Sequence, residues 1–245
     1  MPKKSFSIFL LLVATVFLIT GCSGPFSLGP SDYIALLASD EMLRTEVANA
    51  NLKALNEEYE VYDLNEGNFY YDTMKDLEKN TESNLDFKLH YIPSEVVNAF
   101  YVGDGHIVLF DGLLDILTEK QAPAVIAHEM AHGTNNHIVE NVRSQVGYKI
   151  TNDILAEMDI NKTARGIGLF FLKNGFSRED EKEADLSSLK ILENSNYNPY
   201  LTIEVMEELD RLQGNMDAKL LEIFQTHPLP KTRISYINKE LEDNY

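Results

Sequence analysis

The sequence predicts an α+β domain, mostly helical, with a small antiparallel sheet ahead of the helix that carries His128-Glu129-Met130-Ala131-His132. Three observations carry this reading. Period-two patterning is confined to residues 87–110, helical periodicity fills most of the remainder after residue 30, and no later apolar run reaches 18 residues. Strands in one block with helices elsewhere build an α+β fold, whereas strict alternation would build a parallel sheet. A chain of 245 residues is long enough for one sizeable core.

The N-terminus is read as lying outside the fold. Lys3 and Lys4 precede an apolar run from Phe6 to Ile19, the pattern of a secretory signal and too short for a comfortable membrane span. Leu18-Ile19-Thr20-Gly21-Cys22 resembles the bacterial lipobox, which implies cleavage before Cys22 and acylation of that residue. More than one acyl chain holds a protein stably at a membrane. Residues 1–21 are therefore expected to be a lipoprotein signal peptide and residues 22–30, rich in Gly, Pro and Ser, a lipidated linker. Residues 31–245 are expected to form one domain, tethered in a bacterial cell envelope. The tether would lie on the periplasmic face of the outer membrane in a two-membrane cell, or on the outer face of the plasma membrane otherwise.

Within the domain, Ser31–Glu60 reads as an acidic helix with no assignable role, and Asn65-Glu66-Gly67 as a break. A second helix is predicted over Tyr70–Lys79 and a strand over Phe87–Ile92. Ala99–Val102 and Ile107–Phe110 flank Gly103-Asp104-Gly105, a hairpin signal. Thr118 with Gln121 forms a candidate capping box, and Pro123 implies that the motif helix begins a turn later.

Charge and cysteine content exclude whole classes. With 39 acidic against 21 basic residues the formal charge is −18, a field that repels nucleic acid. One cysteine forbids an intrachain disulfide and any multi-cysteine zinc site. Metal chemistry falls instead to the six histidines and the carboxylates.

His128 and His132 stand four apart, so both imidazoles reach one ion from one helix face. Neutral imidazole suits zinc, and Glu129 lies beside the ion, placed to take a proton from water. The longer HExxHxxGxxH pattern fails, since Asn135 and Ile138 stand where Gly and His are required. His137 lies about 140° round the helix from His132 and is read as a structural hydrogen-bonding residue. The third ligand is then a downstream carboxylate, Glu157 or Glu181. On a helix starting at Ser177, Glu181 and Asp185 share the stripe of Ser188, Leu189 and Leu192, while Glu179, Glu183 and Lys190 face solvent. A buried carboxylate must find a cation or donors, which favours Glu181 on zinc and Asp185 on a histidine N–H or an arginine.

These residues, with Thr226-His227-Pro228 and Arg233-Ile234, resemble the gluzincin metallopeptidases related to HtpX and the CAAX prenyl proteases. The resemblance runs from about Leu85 to Ile234, and the lipobox makes the chain similar to the family's small bacterial lipoprotein members. It implies a zinc metalloendopeptidase with one Zn2+ on His128, His132 and Glu181, with Glu129 as general base. It also implies that Asp185 orients a ligand, that Arg233 pairs with Asp185, and that His227 approaches the metal, steadying the transition state or closing a latent site. Asn98, Ala99, Phe100 and Tyr101 would form the edge strand that receives an extended peptide. Unfolded or unassembled envelope polypeptides are the expected substrates. A rival reading is a chaperone-like assembly factor with a mostly latent zinc site. Read without the family, His227 caps the last helix and Asn98 is a turn residue.

Overall fold

A computed structural model describes residues 38–151, 175–213, 223, 226–227 and 230–244. The signal and linker assignments lie outside these residues, as do Glu157 and the start of the first predicted helix. That helix, α1, runs Asp40–Glu58, its first turn closed by the Ser39 hydroxyl accepting from Met42 N–H. It buries Leu43, Val47, Asn51 and Leu55, spaced by four along one face. Strand β1 is the short pair Tyr62–Asp63, and Gly67, at φ +90°, turns the chain into α2, Phe69–Glu78. Asn68 caps α2 by accepting from the amides of Tyr70 and Tyr71.

Strands β2 (Lys88–Ile92), β3 (Ala99–Gly103) and β4 (His106–Phe110) occupy the predicted block. The β3–β4 hairpin turns through Gly103, Asp104 and Gly105, all at positive φ. Gly105 is required twice over, because a Cβ there would lie 2.3 Å from the Asp86 carbonyl. The sheet order is β1-β2-β4-β3, and β2 pairs with β4 in parallel. This corrects the expected antiparallel sheet to a mixed one. The reason is burial: Ile107, Val108, Leu109 and Phe110 are all buried, so β4 is apolar on both faces and takes the centre. The β2–β3 connection carries the chain past that position to the far edge.

After the short helix α3 (Asp111–Leu114), the Thr118–Gln121 capping box starts a 3-10 turn over Glu119–Gln121. Helix α4, Ala122–Thr134, follows with Pro123 in its first turn, where no helical hydrogen bond is lost, as expected from the sequence. Its residues are buried almost all round, including His128, Glu129 and His132. Asn136, at φ +61°, breaks the helix before α5, His137–Thr151. Helix α6, Arg178–Asn194, begins at the capping box of Ser177 and Asp180. Helices α7 (Leu201–Gln213) and α8 (Pro230–Asn244) complete the described chain. The core lies between the sheet, α4 and α6, around Leu89, Ile107, Ile126, Met130 and Leu192. Among the described residues no helix is long and apolar enough to cross a membrane.

Candidate metal centre

Helix α4 supplies two donors one turn apart, with His128 Nε2 3.3 Å from His132 Nε2. Helix α6 brings Glu181 across, its Oε1 3.4 Å from His132 Nε2 and its Oε2 3.6 Å from His128 Nε2. Four zinc bonds of about 2.05 Å at tetrahedral angles set ligand atoms about 3.35 Å apart. The three spacings fit that tetrahedron. His227 joins them, its Nδ1 3.0 Å from each Glu181 oxygen, and the four ligand atoms all lie within 4.8 Å of one another. All four residues are buried. The donor set suits zinc.

The outward nitrogens of both motif histidines are occupied. His128 Nδ1 donates to Asp185 Oδ1 at 3.1 Å. His132 Nδ1 lies 2.9 Å from His137 Nδ1, and a proton on His132 Nδ1 leaves its Nε2 lone pair aimed at the cluster. Burial pushes His132 down to about 4, so its ring is neutral near pH 7. Burial alone would raise Glu181, yet the rings of His227, His128 and His132 hold its carboxyl well below the usual range. The anion and the neutral ring are the forms that bind a cation.

Asp185 is fully buried on the same helix face as Glu181. It accepts Arg233 Nη2 at 2.6 Å and Arg233 Nε at 2.9 Å, a two-point clamp between α6 and α8, and the Tyr236 hydroxyl as well. Against the opposing effect of burial, Arg233 and His128 hold its carboxyl well below the usual range. Glu179, Glu183 and Lys190 are exposed, as their helix face required.

Glu129 is buried and reaches toward β3, where its Oε2 accepts the Tyr101 backbone N–H at 2.7 Å. Its other oxygen lies 3.9 Å from His227 Nε2. Ala99–Tyr101 do lie on an edge strand, but the Tyr101 amide is held by Glu129 and the Ala99 amide by the Asn98 side chain at 3.0 Å. Asn98 also accepts from the Thr226 hydroxyl, linking that strand to the residue before His227.

Two contacts were absent from the sequence reading. Phe176 stacks on the His132 ring at 4.0 Å, and His137 closes over the same ring. Phe176 precedes the N-cap Ser177, but the fourth helical residue is Glu181, so no hydrophobic staple marked it in the sequence. Gly175, at φ +70°, lets the chain pass against Thr226, since a Cβ would stand 1.8 Å from the Thr226 carbonyl oxygen. Beside the cluster opens an apolar cavity, walled by Leu113, Val125, Val205, Met206 and Leu209 and reaching His128, Glu129 and His227.

The fold resembles that of S. mikatae Ste24p, with a TM-score of 0.51 at 19% identity, covering 84% of this chain and 57% of the other. Mitochondrial metalloendopeptidase OMA1 of Arabidopsis thaliana is 31% identical over 150 residues, 61% of this chain and 30% of that protein. The beta-barrel assembly-enhancing protease of Escherichia coli is 28% identical over 164 residues, 61% of this chain and 33% of that protein. The chain thus spans about a third of the length of these two relatives. The model of peptidase family M48 matches residues 73–241, which include every donor of the cluster, and the chain belongs to that family.

Proposed function

We propose that the protein is a zinc endopeptidase, tethered by lipid at Cys22 in a bacterial envelope, that cuts misfolded or unassembled envelope proteins. The observation that carries this is the buried set of four donors with Glu129 beside it, inside a peptidase-family match. His128, His132 and Glu181 would hold the ion. When bound, zinc supplies Lewis acidity toward a peptide carbonyl and toward water. Glu129 takes the proton of the attacking water and returns it to the leaving amine nitrogen. The Tyr101 N–H fixes one Glu129 oxygen, leaving the other for the proton. Asp185 orients the His128 ring and Arg233 holds Asp185, and neither takes part in the proton transfer. The apolar cavity beside Glu129 suits side chains that a folded protein hides, which agrees with unfolded substrates. The relative named for β-barrel assembly supports an envelope setting.

Metal analysis alongside casein cleavage tests the proposal. One zinc per chain with cleavage supports it, and a chain that binds no zinc reduces the motif to packed histidines. The anchor is tested by labelled palmitate, whose incorporation Cys22→Ser should abolish.

A second reading has its own observation. His227 makes the cluster four-membered, and a site with four protein ligands has no open position for water. This geometry supports a latent form, the state in which the protein would hold client strands as a chaperone without cutting them. His227→Ala is expected to raise casein cleavage severalfold at unchanged zinc content. A fall in cleavage would instead assign His227 to the transition state.

A further inference from the structure

Helix α1 lies before the family-matched residues, which begin at 73, and the peptidase chemistry above makes no use of it. It nevertheless reaches the site. Asn51 occupies the third place on the stripe Leu43, Val47, Asn51, Leu55 and is only 1% exposed. Its Nδ2 donates to the Val102 carbonyl at 3.0 Å, at the end of β3 where the register shifts between Tyr101 and Gly103. Its Oδ1 is buried and has no hydrogen-bond partner among the described residues. A buried acceptor left unpaired calls for an explanation, and a leucine here would have completed the stripe with no such cost. Asn51 also lines a small pocket whose walls include Phe100, Tyr101, Glu129, Phe176 and His227. The orphan acceptor and the candidate general base thus border one cavity, at the edge of the strand nearest the metal cluster.

We infer that Asn51 belongs to the peptide-binding cleft and accepts a main-chain N–H of the substrate through Oδ1, so that α1 completes the cleft. The inference rests on the peptidase reading and adds to it a substrate contact. A main-chain N–H is the donor that every polypeptide except at proline carries, so the contact fixes the position of an extended chain without selecting its sequence. It acts at the end of β3, where Asn51 already holds the Val102 carbonyl.

The test uses the full-length, zinc-loaded protein and a fluorogenic decapeptide spanning a bond that it cuts in casein. The peptide is also made with single N-methyl groups at successive backbone nitrogens around that bond. Asn51→Ala is expected to lower kcat/KM about fivefold to tenfold, mostly through KM, the scale of one lost hydrogen bond. Zinc content should not change. One N-methylated peptide should lose a similar factor with wild type and nothing further with the variant. A residue that only braces β3 would give losses that multiply at every position, and that result overturns the inference. Asn51→Leu, which completes the apolar stripe, serves the same comparison if the alanine variant folds poorly. Cleavage by wild type without this coupling removes Asn51 from the cleft and leaves the peptidase reading intact. A wild type that cuts neither casein nor the peptide overturns that reading and this inference with it.

Discussion

Glu129→Gln is expected to leave the protein folded and loaded with zinc while lowering casein cleavage by about 10²–10⁴-fold, the usual contribution of a positioned general base. The substitution keeps the shape of the side chain and an oxygen that can still accept the Tyr101 N–H, held at 2.7 Å in the native site. What it removes is the basic oxygen proposed to receive the proton. Glutamine is neutral, so the buried site also loses one negative charge without losing volume. Cleavage rate and zinc stoichiometry measured on the same preparation decide the matter. A fully active variant would take the base role away from Glu129, whereas an inactive variant without zinc would mean that the substitution had disturbed the metal site itself.

Glu181→Ala is expected to abolish stable zinc binding, an effect well beyond the ~10–100-fold that losing an outer hydrogen-bond partner of a ligand costs. Its carboxylate lies within 3.0–3.6 Å of nitrogens on His128, His132 and His227, and Arg233 Nη1 stands 3.5 Å away. No other carboxylate belongs to the four-donor cluster, so among the described residues nothing can take its place. Glu157→Ala, by contrast, is expected to retain zinc. Titration with a chromophoric chelator distinguishes the two, and loss of zinc in the Glu157 variant alone would move the third ligand to that residue.

The motif helix and the carboxylate helix were legible because each depends on local periodicity. Spacing by four puts His128 with His132, and again Glu181 with Asp185, whatever the rest of the chain does. The Asp185 pairing was legible in kind, since burial of a carboxylate demands a donor, and Arg233 meets that demand from 48 residues away. His137 shows a right role reached by the wrong route. The helical-wheel argument took it off the ligand face, but the helix ends at Thr134 and His137 opens the next one, turning its ring onto His132. Sheet order was not legible. The unbroken apolar run Ile107–Phe110 marks β4 as buried on both faces, but it does not name the strand's neighbours, so the parallel β2–β4 pairing itself was not legible. Nor was Asn51 found, although an asparagine breaking an apolar series spaced by four was visible throughout.

The bond between the Tyr101 amide and Glu129 has a bearing on how this protein can change over generations. Its donor is peptide backbone, which nineteen of the twenty amino acids supply alike. Mutations along β3 can therefore alter the side chains of the proposed peptide-binding edge while the carboxylate stays aimed, proline at position 101 being the exception. Substrate preference and the reactive group are encoded separately, and drift in one need not disable the other.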